Sequence, residues 1–207
     1  MANLTDEIEE RTNAMNVYDF DNTILRGDSE TLLFVYCLAR RPRMWLDVPG
    51  QAANGLLFLL KIREKQAFKE RMQRFLTMIG DVDEAVDAFW KANWKRIKPW
   101  YFERHRPDDV VISASPEFLI LPACRKLGVG RVMGSPVDKH TGRFFGPNCH
   151  GREKVRRFRA AYPDGRIDEF FSDSYSDAPL AQLARTAYLV KGEKLLPWGN
   201  KTEYNQK

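Results

Sequence analysis

The stretch Val17-Tyr18-Asp19-Phe20-Asp21 constrains the fold most, because it places two carboxylates directly after a strand-like apolar run. The residues at 15–18 are typical of a buried strand. Residues i and i+2 of an extended chain point to the same side, so Asp19 and Asp21 are expected to crowd each other. Like charges this close oppose double ionisation unless a cation or a shared proton intervenes. The pair therefore predicts a divalent metal site or a carboxyl that stays protonated to act as an acid.

Further polar residues follow two other apolar runs in a consistent order. Ser113 comes after Val110-Val111-Ile112, and Asp173 comes after Phe170-Phe171-Ser172. An acidic, solvated turn is the simpler interpretation of the Asp pair alone, but the recurrence at strand ends favours a shared site. Strands that alternate with helices predict a parallel sheet with helices on both faces. Ligands of such sheets bind at the carboxyl ends of the strands.

Between the first two predicted strands, apolar residues recur at helical spacing instead. Phe68, Met72 and Phe75 fall on one helix face, and Asp81 with Glu84 is typical of a capping box. We therefore predict an all-helical insertion, residues 28–98, within an α/β core formed by residues 1–27 and 99–207.

Other local signals refine this prediction. Asp28 or Ser29 is expected to cap the first helix, and Ser115 to cap a helix that begins at Pro116. A hairpin is expected around Thr141-Gly142. Towards the end of the chain we predict a helix over residues 176–185 and a final strand over residues 187–190.

The composition indicates a globular protein with a basic balance. Of its 207 residues, 43% are hydrophobic and 29% charged, which suits one core with a modest insertion. The net charge is +5, and residues 28–107 carry the whole excess, with 15 Lys or Arg against 10 Asp or Glu. This balance suits an anionic partner, or it serves solubility alone. Nucleic acid is not expected as a partner, because no RNA-binding signature or zinc-finger spacing is present.

Cysteine usage and the start of the chain bear on the compartment. Cys37, Cys124 and Cys149 are far apart and form neither a disulfide framework nor a metal spacing, which suits a reducing compartment. The polar residues 1–13 lack the apolar core of a signal peptide, and the apolar run at 56–60 is too short to cross a bilayer. We therefore expect a cytoplasmic protein.

The polar segments together resemble the four ordered motifs of the haloacid dehalogenase superfamily. They are Asp19-Phe20-Asp21-Asn22-Thr23, Ser113-Ala114-Ser115, Gly151-Arg152-Glu153-Lys154, and Asp173 with Asp177. The resemblance covers nearly the whole chain, and its order and spacing are more specific than any single motif. The helical insertion after the first motif is similar to the small C1-type cap of the phosphoserine-phosphatase-like branch. The resemblance implies a three-layer Rossmann-like α/β core and a phosphatase.

This resemblance also implies roles for the motif residues. Asp19 would be the nucleophile that forms an aspartyl-phosphate, and Asp21 would protonate the leaving oxygen and then activate water. The implied metal set is Asp19, Asp21 through its carbonyl, Asp173 and Asp177, of which Asp177 could instead orient Lys154. The implied phosphate-binding set is Asn22, Thr23, Ser113, Ala114 and Lys154. Clustered carboxylates and a phosphate substrate favour Mg²⁺ over zinc.

Simpler interpretations of three of these residues stay open. Asp177 could be a helix-start residue stabilised by the helix dipole. Ser113 could be a strand-end hydroxyl away from the site. Lys154 could belong to a solvated basic face, since Arg152, Arg156 and Arg157 surround it in sequence.

The substrate is expected to be a small phosphorylated metabolite chosen by the cap. Phosphoserine-specific relatives carry a Glu after the first motif, and Asp28 stands at that place here, one methylene shorter. Arg71 or Arg74 could replace the cap Arg that holds the substrate carboxylate. Phosphoserine is therefore not the first expectation.

The apolar stretch 45–62, flanked by basic residues, permits a second idea. A basic, apolar surface helix could rest on an anionic membrane and admit a lipid phosphate. We expect instead a helix buried in the cap bundle, which is the commoner use of such a stretch. Two other functions stay open, namely a phosphomutase that uses the same aspartyl-phosphate and a non-catalytic binding protein. The sequence indicates no oligomeric state.

Overall fold

The computed structural model describes residues 14–199, apart from the side chain of Lys65. The expectations for residues 1–13 lie outside the described residues. The strands are β1 (Ala14–Tyr18), β2 (Val110–Pro116), β3 (Arg131–Ser135), β4 (Arg166–Ser172), β5 (Ala184–Lys191) and β6 (Lys194–Pro197). The α-helices are α1 (Ser29–Leu38), α2 (Val48–Leu59), α3 (Lys65–Gln73), α4 (Val82–Asn93), α5 (Pro99–Arg104), α6 (Glu117–Leu127), α7 (Arg152–Ala161) and α8 (Ala178–Ala181). Single 3-10 turns span Pro42–Asp47, Arg74–Met78, Trp94–Arg96 and Tyr175–Asp177.

The strands form one six-stranded sheet in the order β3-β2-β1-β4-β5-β6. All neighbouring pairs are parallel except β5 and β6, which are antiparallel. The chain moves outward from β1 to β2 and β3, and then returns to place β4 on the other side of β1. This reversal is a topological switch point, where α/β sheets bind ligands at the strand carboxyl ends. The predicted α/β fold with a Rossmann-like parallel sheet is confirmed.

Both faces of the central strands β1, β2 and β4 are largely buried, which explains the continuous apolar runs of these strands. Adjacent residues of one strand belong to different cores, because side chains alternate along a strand. Tyr18 and Phe171 pack in the core that includes α1, α4 and α6, whereas Val17 and Phe170 pack against α7 and α8.

Residues 28–98, between β1 and β2, form helices and turns and contribute no strand to the sheet. The Asp28 side chain caps α1 by accepting from Thr31 N at 2.8 Å, and Asp81 caps α4 by accepting from Glu84 N at 2.9 Å. The core beside Tyr18 continues into this segment through Phe89 and Trp90 of α4. The division into two domains stays a prediction, because helical segment and sheet share this apolar cluster.

The predicted hairpin around Thr141-Gly142 is confirmed, since Val137 pairs with Phe144. Gly151 directly precedes α7. The three cysteines are buried and free.

Two local predictions are wrong. Ser115 does not cap a helix, because β2 continues through Pro116 and the Ser115 hydroxyl bonds within the site described below. The helix predicted over residues 176–185 is reduced to a 3-10 turn and α8, because β5 already begins at Ala184 beside β4. The chain then turns at Gly192, whose φ of 60° suits glycine, and adds the unpredicted strand β6.

The expectation that the apolar stretch 45–62 is buried in the helical bundle is also wrong. Leu46 is 85% exposed and Leu59 is 78% exposed, while the polar Asn54 is buried. The polar side chains of Gln51 and Asn54 bond to the protein and Phe58 is half-buried, whereas Leu56 and Leu59 face outward. No helix within residues 14–199 has the length and apolar character needed to cross a bilayer.

Candidate active site

Two predicted site residues meet at the switch point of the sheet. Asp19 directly follows β1 and Asp173 directly follows the neighbouring strand β4. The Asp19 N–H donates to Phe171 O at 2.8 Å, which fixes the start of the acidic turn against β4. The Asp173 N–H donates to the hydroxyl of Thr23 at 3.0 Å. Parallel pairing of β1 and β4 thus brings the two acidic residues to one edge, although they lie far apart in sequence.

Thr23 and Asn22 shape the turn between Asp19 and α1. Thr23 is fully buried, and its hydroxyl is used by the backbone of Asp173. Asn22 is exposed and adopts a φ of 55°, a conformation that Asn tolerates better than most residues. Its carbonyl accepts from the buried Lys98 ammonium. The structure therefore gives the Thr23 side chain a role in holding Asp173.

The Lys154 ammonium is the centre of the site. Its Nζ lies 2.8 Å from Asp19 Oδ1 and 2.7 Å from Asp177 Oδ2, and the side chain is 2% exposed. Burial by itself would lower the pKa of Lys154, but the adjoining Asp19 and Asp177 carboxylates outweigh it and raise that pKa. Lys154 is therefore a fixed positive charge. It belongs to the first turn of α7, which begins after Gly151 at a φ of 60° and a ψ of −125°.

The charge state of Asp19 depends on these neighbours. Burial raises the pKa of its carboxyl to about 6, and the nearby Asp177 and Asp173 carboxylates act in the same direction. Lys154 acts in the opposite direction. Asp19 is consequently ionised at neutral pH, as a nucleophile or metal ligand requires.

Asp21 is held on the other side of the turn by two donors. Ser29 N–H donates to Oδ1 at 2.9 Å, and the Ser115 hydroxyl donates to Oδ2. Burial raises the pKa of the Asp21 carboxyl to about 8, and the nearby Asp28 carboxylate adds to the shift. The group therefore holds its proton at neutral pH, which is the state of a general acid.

The predicted phosphate residues of the second motif lie at the carboxyl-end part of β2. Ser113 is buried, and its hydroxyl accepts from Ser115 N at 3.1 Å. The Ala114 carbonyl accepts from the Lys69 ammonium at 2.9 Å and from the Ser135 hydroxyl at 2.8 Å. Ser115 in turn contacts Asp21, so this segment adjoins the first motif.

A polar cluster that was not predicted from the sequence lies between α1, α3 and β2. Glu30 is 3% exposed, and its two oxygens accept from Lys69 at 2.8 Å and from Gln73 at 2.6 Å. Lys69 also reaches Ala114. The four-residue spacing of Lys69 and Gln73 places them on one helix face, which is the signal available in the sequence. Their partner Glu30 is not indicated by any local pattern.

The three residues predicted to bind substrate are engaged elsewhere or exposed. Asp28 caps α1 and influences the site only through its charge near Asp21. Arg71 makes two hydrogen bonds to Asp47, at 2.6 and 3.1 Å, and this pair fastens α3 to the start of α2. Arg74 is exposed in the turn after α3.

Carboxylates at the site suit a hard cation. Within residues 14–199, no three acidic, histidine or cysteine side chains are grouped closely enough to hold a metal by themselves. Asp19 and Asp173 with the Asp21 carbonyl nevertheless fit Mg²⁺, which commonly takes one or two carboxylates and keeps several waters. Asp177 Oδ1 is buried and has no hydrogen-bond partner among the described residues, and a hydrated cation would supply one. Asp177 Oδ2 is occupied by Lys154 and by the Ser172 hydroxyl at 2.8 Å.

Fold and site together define an α/β protein with a Rossmann-like core, a helical insertion and an acidic edge at its switch point. A family model described as haloacid dehalogenase-like hydrolase matches residues 17–182. The chain therefore belongs to the haloacid dehalogenase-like hydrolase family, and the resemblance stated from its motifs is confirmed.

Individual relatives are more distant. The chain is 30% identical over 81 residues to the protein CicA of Caulobacter vibrioides, a match that covers 36% of each chain. It is 24% identical to the phosphoserine phosphatase SerB1 of Mycobacterium tuberculosis, over 86% of this chain and 65% of the relative. Among solved structures, a Bordetella pertussis protein of unknown function aligns with a TM-score of 0.72 and 18% identity, over 86% of this chain and 89% of that one. This structural likeness supports the fold.

Proposed function

We propose that the protein is a Mg²⁺-dependent phosphomonoester hydrolase that works through an aspartyl-phosphate. The observation that carries the proposal is the buried Lys154 ammonium held between Asp19 and Asp177. A phosphate ester is an anion, and a carboxylate can attack it only where positive charge offsets the repulsion. Lys154 supplies such charge beside the proposed nucleophile, and family membership supports the same chemistry.

In the first half-reaction, an Asp19 oxygen attacks phosphorus and the ester P–O bond breaks. The leaving oxygen takes a proton from Asp21, whose raised pKa supports this acid role. In the second half-reaction, Asp21 takes a proton from water, the water oxygen attacks phosphorus, and the bond from phosphorus to Asp19 breaks. Inorganic phosphate leaves, with Asp19 ionised and Asp21 protonated again.

The metal would be held by Asp19, Asp173 and the Asp21 carbonyl. Bound Mg²⁺ supplies charge that neutralises carboxylates and phosphate together. Asp177 is assigned a positioning role, because its Oδ2 accepts from Lys154 and Ser172. Thr23 positions Asp173 through the hydrogen bond to its backbone.

The transferring phosphoryl group would be bound by Lys154 and by the segment Ser113–Ala114. In the transition state the negative charge is spread over the three equatorial oxygens of the phosphoryl group. Fixed hydrogen-bond donors at those oxygens therefore stabilise the transition state most. We assign Asn22 to the same anion site through its exposed side chain, because its backbone N–H donates to Gly27 O at 3.0 Å. We assign Lys69 to the edge of this anion site, because its ammonium donates to Ala114 O.

The substrate is proposed to be a small phosphorylated metabolite. SerB1, by its name, is a phosphoserine phosphatase, but phosphoserine itself is not favoured here, because Arg71 is committed to Asp47. We propose that Lys69, which Glu30 holds beside Ala114 of the candidate site, contacts the leaving group.

The first test is hydrolysis of p-nitrophenyl phosphate with and without Mg²⁺. We expect turnover with Mg²⁺, loss on chelation, and no turnover by Asp19→Asn. Metal-independent activity, or full activity of Asp19→Asn, would contradict the proposal. Assays on phosphorylated metabolites should release free phosphate, whereas an isomerised ester would identify a phosphomutase.

A further inference from the structure

Helix α2 is inverted relative to an ordinary surface helix. Its polar side chains face the protein: Asn54 is 2% exposed, donates to Phe68 O at 3.0 Å and accepts from Arg63 at 2.5 Å. Gln51 donates to Asp47 at 2.6 Å and to the carbonyls of Arg71 and Met72 at 3.2 and 3.3 Å. These contacts satisfy the polar face of the helix, which meets the protein together with the half-buried Phe58, and the remaining apolar face is left for the outside.

The outward face is apolar and follows the helical period. The exposed residues of α2 and of the residue that follows it are Pro49, Ala52, Ala53, Leu56, Leu59 and Leu60. Side chains from both flanks extend it: Trp45 is 60% exposed, Leu46 is 85% exposed and Ile62 is 69% exposed. We call Trp45, Leu46, Leu56, Leu59, Leu60 and Ile62 the outer apolar face. Burying such side chains is favourable, so a group of exposed apolar side chains along one helix and its flanks indicates a partner.

Positive charge borders the outer apolar face at both ends. Arg40 and Arg43 are exposed before α2, and Lys61 is exposed directly after it. Arg41 and Arg63 are half-buried at the same two ends. Residues 40–63 contain one acidic residue, Asp47, which is paired with Arg71, and Glu64 follows Arg63. The surface therefore combines apolar side chains with a surplus of cations.

We propose that the outer apolar face and its basic border dock the protein on an anionic lipid bilayer. An amphipathic helix with Leu and Trp on one side and Lys or Arg beside it lies in the bilayer interface, with apolar side chains among the acyl chains and cations at the headgroups. Trp45 at one end suits the interfacial position that Trp prefers. A second copy of the chain is a poorer occupant, because the two basic borders would face each other.

Docking would place the site close to the lipid surface. Helix α2 packs on α3, with Phe58 and Phe68 stacked at 4.4 Å between ring centroids. From α3, Lys69 reaches Ala114 of the candidate site. One helix thus separates the outer apolar face from the polar cluster at the site. The docking proposal does not depend on the proposed hydrolase activity.

Sedimentation with vesicles tests the proposal directly. We expect the protein to pellet at low salt with phosphatidylcholine vesicles that contain phosphatidylglycerol, and to pellet less with phosphatidylcholine alone. Leu56→Asp with Leu59→Asp should weaken binding by about tenfold or more, because both side chains leave water on docking. Phe102→Asp with Phe145→Asp is the matched control, since these side chains are 54% and 75% exposed outside residues 28–98. It should bind like the wild type.

A second pair of variants tests the basic border. Arg43→Glu with Lys61→Glu should reduce binding and its salt dependence, whereas Arg125→Glu with Arg131→Glu changes the net charge equally and should not. Circular dichroism and the p-nitrophenyl phosphate assay without vesicles check that each variant is folded. Failure of the wild type to bind anionic vesicles at low salt would overturn the proposal. It would also be overturned by a dimer in solution that Leu56→Asp with Leu59→Asp dissociates, since a second copy would then cover the face.

Discussion

Lys154 and Asp19 form an almost completely buried ion pair, with 2.8 Å between Nζ and Oδ1. The pair joins the first turn of α7 to the end of β1. The same ammonium donates a second hydrogen bond to Asp177 Oδ2. A buried charge is tolerated only when it is paired and hydrogen-bonded. Removal of either partner should therefore affect both folding and chemistry.

We expect Lys154→Met to lower kcat by about 100-fold or more, since a fixed donor to the phosphoryl group is lost. The metal-free variant should also lose about 3–5 kcal/mol of unfolding free energy, because Asp19 and Asp177 stay buried without a counterion. Urea unfolding and p-nitrophenyl phosphate hydrolysis measure the two effects. Lys91→Met, at an exposed position of α4, is the control. A variant as stable as the wild type would contradict the buried pair.

The pH dependence of kcat/KM should be bell-shaped. Asp19 must be ionised to attack, so activity should fall at acid pH, and bound Mg²⁺ should move that fall below the pKa of about 6 that burial gives the metal-free carboxyl. Asp21 must be protonated to release the leaving group, so activity should fall as the pH rises above its pKa of about 8. Asp21→Asn should lose most activity and the alkaline limb with it. An alkaline limb that survives in Asp21→Asn would assign it to another group.

The raised pKa of Asp21 predicts how its contribution to the stability of the metal-free protein varies with pH. Between about pH 4 and pH 8 the native state holds a proton on Asp21 that the unfolded state has released, so stability falls as the pH rises. Asp21→Asn removes this contribution and should lessen the fall by about 1–3 kcal/mol. Urea unfolding in the presence of a chelator at pH 5 and pH 8 measures it. An identical slope in wild type and variant would count against a protonated Asp21.

Thr23→Val tests whether a hydrogen bond outside the substrate contacts sets the metal affinity. The change removes the hydroxyl that accepts from the Asp173 N–H, at a cost of about 1–2 kcal/mol. We expect a higher Mg²⁺ concentration for half-maximal activity, with kcat at saturating Mg²⁺ much less changed. Thr77→Val is the control, because the Thr77 hydroxyl bonds only within its own exposed turn. A loss of kcat that Mg²⁺ does not restore would indicate a direct phosphate contact instead.

The polar cluster at Lys69 should govern KM. Glu30→Gln with Lys69→Met removes both charges together, so neither is left buried alone. For the preferred phosphorylated metabolite we expect KM to rise about tenfold, with kcat for p-nitrophenyl phosphate changed far less. Steady-state kinetics on the two substrates gives this comparison. Equal losses on both would indicate a structural role.

The sheet was predictable because a strand buried on both faces leaves a continuous apolar run that local sequence reveals. Asp19 and Asp173 were predictable for a related reason: each stands directly after such a run, and parallel strands bring those ends together. The strand β6 has only four residues and carries no such signal. Ser115 was misjudged because a cap residue and a strand-end hydroxyl look alike until the partner Asp21 is known.

The orientation of α2 could not be predicted from periodicity. A helical pattern shows that polar and apolar residues fall on opposite sides, but it does not show which side meets the protein. Asn54 is buried because Phe68 O and Arg63 are there to bond it, and neither is visible from the helix itself. The Glu30 and Lys69 pair was missed for the same reason, since its members lie 39 residues apart.

The apolar cluster that runs from the sheet through Phe89 and Trp90 determines which part of the helical segment can move. Trp90 also donates to Leu119 O at 2.7 Å, so α4 contacts α6 through a buried hydrogen bond as well as through the apolar core. Lys69 of α3 bonds instead to Ala114 O, and the turns beside α2 and α3 enter the cluster through Met44 and Phe75. Any opening of the helical segment would therefore leave α4 in place and displace α2 and α3, which carry the outer apolar face.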